Sequence, residues 1–362
     1  MMKVKATAVS HGGNVYRAAA ELGLNCESLI DFSASINPLG VSDRVREAIT
    51  SGVKQLVNYP DPESFELKNK IAALHGIDPD MVMCGNGSTE LIYLLPRVIR
   101  PETVLITAPA FAEYERAVKI SETKGHPVQI REYAPLRENL FQINTAAFKA
   151  SMKGCDMAFL CNPGNPSGVL TRKEAVLEIA AAARDSRCYL VVDEAFIDCM
   201  PEESVVTDVR DNPYLIVLRS LTKFYALAGL RAGYAVFHAD LADRVTAMKE
   251  PWTVNSLAQR ASLAALADSE YAERSISLMN GEKIFMEEGL QDLGIEYFPS
   301  LANYYLLKLD NAQAVISHLK QRGILVRDCS NFKGLDSTYI RVAVKSRADN
   351  EKLLREMKLC AE

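Results

Sequence analysis

The chain has 362 residues, 48% of them hydrophobic and 24% charged; 41 Lys and Arg against 46 Asp and Glu leave a net charge of −5. That length buries a large core and allows two domains, while the acidic balance and the lack of any basic block argue against nucleic acid as the main partner. No run approaches the ~20 apolar residues of a membrane helix and no apolar leader opens the chain, so a cytoplasmic protein without a membrane partner is expected.

Eight cysteines include no Cys-x-x-Cys pair and only five histidines accompany them. Zinc spacing is absent, so no metal site is expected, and apolar surroundings suit reduced thiols in a reducing compartment.

Residues 1–45 are rich in turn chemistry, at His11-Gly12-Gly13-Asn14 and at Ser33-Ala34-Ser35-Ile36-Asn37-Pro38-Leu39-Gly40, with one helical stretch at 15–22. Such an arm is expected to pack over a site or a partner subunit. Helices follow at 43–56 and 65–74, parted by Asn58-Tyr59-Pro60-Asp61-Pro62, because the residue before a proline is pushed out of helical geometry. A short strand at 81–84 runs into Gly85-Asn86-Gly87-Ser88-Thr89-Glu90 and an apolar helix at 91–98. Two glycines and a Ser-Thr pair at a helix N-terminus make an anion site from backbone N–H groups and the helix dipole. Glu90 at the third glycine position argues against a dinucleotide fingerprint.

Strands at 103–107, 127–132, 157–161, 189–192 and 214–218 then alternate with helices at 112–121, 145–150 and 172–185. This alternation predicts a mostly parallel sheet covered on both faces, with ligands gathered at the carboxyl ends of its strands. A last strand at 234–237 and a helix at 241–248 precede a break at 251–255, read as a hinge. Residues 256–293 read as one bent helix. Strands at 304–308, 324–327 and 339–343 with helices at 311–321 and 349–357 complete a smaller α+β unit. The expected division is an arm at 1–45 covering the site and joining the small domain, a large domain at 46–252 and a small one at 253–362.

Four stretches carry chemistry. In Ser220-Leu221-Thr222-Lys223 and the following Gly229-Leu230-Arg231-Ala232-Gly233, a lysine stands among apolar residues. Desolvation lowers a lysine's pKa and frees its amine for Schiff-base chemistry, and Ser220 and Arg231 both suit a phosphate. Asp193 closes an apolar strand, where an acid is costly unless a positive group meets it; a protonated pyridine nitrogen is one such group. Asn165, in Asn162-Pro163-Gly164-Asn165-Pro166-Ser167-Gly168, suits a phenolate oxygen, and Phe111 suits stacking on a ring. Each feature alone is as well explained by an ordinary turn, cap or core residue.

Together, and in this order, they resemble the pyridoxal-phosphate enzymes of the class I and II aminotransferase superfamily over essentially the whole chain. The resemblance implies an α/β, aspartate aminotransferase-like fold with a large domain, a small domain and pyridoxal 5'-phosphate as cofactor. By the same likeness Lys223 forms the Schiff base, Asp193 meets the pyridine nitrogen, and Asn165 and Tyr225 hold the phenolic side. Gly87, Ser88, Thr89, Ser220 and Arg231 hold the phosphate, and Tyr59 reaches the cofactor of a neighbouring subunit in a homodimer.

Within the superfamily, His11-Gly12-Gly13-Asn14 and Asp193-Glu194-Ala195-Phe196-Ile197-Asp198 are similar to the decarboxylases of threonine phosphate in cobalamin biosynthesis. The histidinol-phosphate aminotransferases come next, and a non-catalytic cofactor- or nucleotide-binding module is the remaining alternative. The group's usual tyrosine after Asp-x-Ala is Phe196 here. A small phosphorylated amino acid is the implied substrate, with Arg341 on its carboxylate and Arg327 and His11 on its phosphate, or with the two arginines' roles exchanged, and Asn37 beside them. Serine phosphate, one methyl smaller, is a possible second substrate.

Overall fold

The computed structural model describes residues 11–123 and 125–360. The N-terminal arm carries α1 (Val15–Leu22), whose cap Asn14 accepts from Arg17 N, and a two-residue strand β1 (Ile30–Asp31). Then come α2 (Asp43–Gly52), begun by Ser42 accepting from Val45 N, and α3 (Phe65–His75), ended by left-handed Gly76. The central run is β2 (Val82–Asn86), α4 (Gly87–Ile99), β3 (Thr103–Thr107), α5 (Glu113–Ser121), β4 (Gln129–Tyr133), α6 (Thr145–Met152) and β5 (Met157–Cys161). It continues through α7 (Lys173–Ser186), β6 (Tyr189–Asp193), β7 (Leu215–Ser220), β8 (Ala232–Val236) and α8 (Ala239–Thr246). The last third holds α9 (Ser256–Leu266), α10 (Ser269–Asp292), β9 (Glu296–Tyr297), β10 (Tyr304–Lys308), α11 (Ala312–Gln321), β11 (Ile324–Leu325), β12 (Arg327–Asp328), β13 (Tyr339–Ala343) and α12 (Arg347–Lys358).

Seven strands form one sheet in the order β2-β8-β7-β6-β5-β3-β4, and β8 alone runs against its neighbours. Helices on both faces explain why β5 to β7 read as unbroken apolar runs. Leu91, Leu95, Val118 and Phe159 fill one side, and Ile71, Phe148, Ile179 and Val192 the other. The second sheet, β12-β13-β10-β9, is antiparallel and packs on α10, α11 and α12 around Met286, Leu290, Tyr305, Ile340 and Leu353. The mostly parallel central sheet and smaller α+β unit are thus as expected. Strand β1 pairs with β11 and Phe32 enters the smaller core, tying the arm to that unit.

Three boundaries differ from the sequence reading. The region set as a hinge and domain start at 253 lies inside the large core: Val254, Ala258, Ala261 and Ala265 pack with Val45, Leu67 and Ile71. Small residues on α9 let it approach α2 and α3 closely, and the crossing to the second core comes along α10, at Met279 and Met286. The helix read through 256–293 is two helices, because buried Asp268 leaves helical geometry to cap α10 at Tyr271 N, 3.2 Å away. The strand read at 324–327 divides into β11, on the arm, and β12, on β13.

Candidate active site

The carboxyl ends of β5, β6 and β7, the N-terminus of α4 and strands β12 and β13 of the small sheet surround a cavity of about 1340 Å³. Lys223 follows β7 into its floor, half-buried, with its Nζ 6.0 Å from the Phe196 ring centroid. Burial first, then the positive Arg341 and Arg231, lowers its pKa to about 8, against the opposing pull of Asp193. The amine therefore sheds its proton far more readily than a surface lysine does.

Asp193 is buried at the end of β6. Tyr114 donates to its Oδ2 at 2.6 Å and Ala195 N to its Oδ1 at 3.1 Å. Burial raises its pKa, although both donors and Lys223 act the other way. Among the described residues no cation lies in ion-pair range of it. Tyr114 itself is fixed by stacking on Phe159, centroids 4.8 Å apart, and by the edge of Phe111, 5.7 Å away. Phe111 is half-buried on the cavity wall.

The first-turn N–H groups of α4 open toward the cavity at Ser88 and Thr89, facing Ser220, Thr222 and Arg231. Two glycines let these backbones meet. Gly87 has φ +71°, and a Cβ on it would lie 2.6 Å from Arg231 Nη2; one on Gly233 would lie 2.4 Å from Ser88 N. Ser220 Oγ and Thr222 Oγ1 share a 2.7 Å hydrogen bond.

Across the cavity stand two buried arginines. Arg327 and Arg341 are direct partners in the β12–β13 pair, so their side chains leave the same face. Arg341 donates to Asn165 Oδ1 at 2.5 Å and to the Ser33 carbonyl at 3.0 Å, lies over the Tyr304 ring, and leaves its Nε unpaired. Arg327 donates to Asn331 Oδ1 at 2.8 Å and lies over Phe332. Neither has a carboxylate partner among the described residues. Burial lowers the Arg327 pKa, and Arg341 adds to that. His11 also lines the cavity, its Nε2 2.8 Å from Glu113 Oε1.

The cavity thus gathers Ser88, Thr89, Phe111, Asn165, Asp193, Ser220, Lys223, Arg231, His11, Arg327 and Arg341, with Gly87 directly beneath it. Asn37 and Tyr225 are not on its wall, although Asn37 lines a small pocket behind it with Phe196 and Lys223. Both Asn37 amide hydrogens are occupied, by the Phe224 carbonyl at 2.8 Å and Ser275 Oγ at 2.7 Å, and its Oδ1 accepts from Leu39 N. It braces the lysine loop from behind. Tyr225 packs toward the large core and stacks with Tyr271, centroids 6.3 Å apart. The ring over which Lys223 Nζ lies is Phe196, which has no hydroxyl. Tyr59 is 83% exposed beside Trp252 and away from this chain's own cavity. Sequence reasoning missed Tyr114 and Thr222. Thr222 was legible as a hydroxyl next to the lysine, but nothing in the pattern marked Tyr114 as the donor to Asp193.

The profile of the aminotransferase class I and II family matches residues 27–357. The chain belongs to this family. Threonine-phosphate decarboxylase of Salmonella typhimurium is 37% identical over 354 residues, 96% of each chain. The histidinol-phosphate aminotransferase of Clostridium acetobutylicum superposes with a TM-score of 0.84 at 30% identity, covering 92% of this chain and 99% of that one. The L-threonine-O-3-phosphate decarboxylase of Porphyromonas gingivalis gives 0.81 at 26%, covering 91% and 98%. The fold is the aspartate aminotransferase-like one.

Pyridoxal phosphate is the cofactor of this family, and the residues present fit it. A Cβ on Gly87 or Gly233 would collide with Arg231 or with Ser88 N and break the backbone cradle, and the buried Asp193 carboxylate has hydrogen-bond donors but, among the described residues, no cation in ion-pair range. Lys223 would hold the aldehyde, Asp193 the ring nitrogen, and Ser88, Thr89, Ser220, Thr222 and Arg231 the phosphate.

Proposed function

We propose that the chain decarboxylates L-threonine O-3-phosphate to (R)-1-amino-2-propanol O-2-phosphate in cobalamin biosynthesis. The observation that carries this reading is the pair of buried, directly opposed guanidinium groups, Arg327 and Arg341, with no acid among the described residues to neutralise them. Two like charges side by side in a buried wall are costly unless an anion arrives. A substrate with a carboxylate and a phosphate supplies two. Its amine then lies toward Lys223.

Pyridoxal phosphate, when bound, supplies an aldehyde that couples to the substrate amine and a ring that accepts the electron pair of the broken bond. The chain's own residues decide which bond that is. Arg341, fixed between Asn165 and Ser33, is the carboxylate holder in this reading, and Arg327 with His11 holds the phosphate. With both ends of the substrate fixed, only one substituent of Cα is aligned for cleavage. The amine of Lys223, with a pKa of about 8, can return a proton to Cα once carbon dioxide has left.

The reading extends to a cytoplasmic homodimer. All eight cysteines are unpaired, as a reducing compartment requires. Tyr59 sits with Val57, 88% exposed, and half-exposed Trp252 on an apolar patch that a second copy would cover while its cavity received the tyrosine.

A histidinol-phosphate aminotransferase is the second reading, favoured by the superposition at a TM-score of 0.84. Threonine phosphate, serine phosphate and histidinol phosphate offered in parallel separate the two. Release of carbon dioxide without 2-oxoglutarate is expected from threonine phosphate, and more slowly from serine phosphate, since one methyl in an apolar pocket is worth ~1–3 kcal/mol. Amino transfer from histidinol phosphate with no gas evolved would overturn the decarboxylase.

A further inference from the structure

Behind the cavity floor lies a buried charge cluster that none of the roles above uses. Strand alternation explains its place. Asp193 and Ser220 face the cavity, so their neighbours Glu194 and Arg219 point to the opposite side of the sheet ends. There Arg219 Nη2 donates to Asp198 Oδ1 at 2.8 Å, while Nη1 lies 3.4 Å from Glu194 Oε2 and 3.3 Å from Ser204 Oγ. Glu194 also accepts from Ser204 Oγ at 2.5 Å and Val205 N at 2.8 Å. Across β7–β8 the partner of Arg219 is Tyr234, whose hydroxyl lies 2.8 Å from His75 Nε2.

Unmatched buried atoms argue that net stability is not what this cluster is for. Buried ion pairs recover their desolvation cost only when every polar atom is matched, and apolar replacements of whole clusters are often as stable or more so. Here Arg219 Nε and Asp198 Oδ2 are buried without any partner. What such a cluster does supply is register. One guanidinium grips the residue after Asp193, at the end of β6, from a position four residues before Lys223, at the end of β7. Both acids have their pKa raised by burial and held down chiefly by Arg219, so they depend on that one cation.

We propose that Arg219 is a positioning residue which, through Glu194 and Asp198, fixes the spacing between Asp193 and Lys223 and hence the seat of the cofactor. This rests on the reading of those two residues as cofactor contacts.

The test compares Arg219→Lys, which keeps the charge and loses the fork, with Val217→Ala, a core truncation on the same strand. Dissociation of pyridoxal phosphate is measured by equilibrium dialysis, and kcat and KM are measured for threonine phosphate. Wild-type protein that fails to bind the cofactor would sink the underlying assignment instead. Given binding, Arg219→Lys is expected to weaken it about tenfold and to lower kcat by ~10²-fold with KM little changed, the penalty of a catalytic group displaced by about 1 Å. Val217→Ala should lose thermal stability with both constants near wild type. Equal behaviour of the two variants would overturn the proposal. Should Arg219→Lys fail to fold, Asp198→Asn, nearly isosteric and one charge different, decides by the same readouts.

Discussion

Two buried arginine sites lie on either side of the lysine, and they differ in one respect. Arg219 meets Glu194 and Asp198, so its charge is answered from within the chain. Among the described residues Arg327 and Arg341 meet only neutral acceptors and aromatic faces, and each faces the other across a strand pair. Burial of an arginine is therefore not itself a sign of ligand binding. The sign is a buried cation whose counter-charge is missing, because the chain must tolerate that cost until something outside it supplies the anion.

Methionine in place of each arginine sharpens this contrast most. Arg219→Met leaves two buried acids unpaired and is expected to lower stability by about 3–5 kcal/mol in a denaturant titration. Arg327→Met removes a like-charge contact and should leave the thermal midpoint of the ligand-free chain unchanged or raised. Its kcat/KM for threonine phosphate should nonetheless fall by about 10²-fold, as for a lost buried ionic contact. Equal destabilisation by the two variants would erase the distinction between an internally balanced arginine and one that awaits a substrate.

A titration probes the same contrast through the lysine. Its pKa is lowered to about 8, by burial first and then by Arg341 and Arg231. In the ligand-free chain the native state lacks a proton that the unfolded state still binds between about pH 8 and the ordinary lysine value. Stability contributed by this group therefore rises with pH across that window, and the penalty is fully present below it. Capture of pyridoxal phosphate needs the free amine, so its rate, followed by absorbance, should climb through about pH 8 and level off above. Arg341→Met removes a depressing charge and should move that midpoint upward. A midpoint that stays in place, or falls, would show that Arg341 does not face the amine.

The sequence carried the alternation of the large unit well, because buried parallel strands announce themselves as apolar runs and their polar ends fall where ligands bind. It carried Lys223, Asp193 and the glycine turn for the same reason. Domain limits were less legible: α9 is built of small residues whose partner face is set by α2 and α3, and no periodicity within residues 256–266 says so. Tyr114 and the Glu194–Arg219–Asp198 cluster were invisible, since each depends on which strand ends become neighbours.

Tyr225 was taken from the family likeness and Asn37 from its place in the arm; the structure sets neither on the wall of the main cavity, although Asn37 lines a small pocket behind it with Lys223 and Phe196. For Tyr225 the correction has a measurable form, the smallest effect considered. Its ring lies against the large core and Tyr271, off the cavity wall, and among the described residues its hydroxyl has no hydrogen-bond partner. Tyr225→Phe removes only that hydroxyl and keeps the packing. It should change neither the absorbance maximum of the cofactor-loaded protein nor kcat by more than about twofold, with stability within about 0.5 kcal/mol. A clear spectral shift would mean that the loop after Lys223 turns this phenol toward the ring when the cofactor binds. The contrast between what faces the cavity and what braces it from behind would then have to be redrawn at that residue.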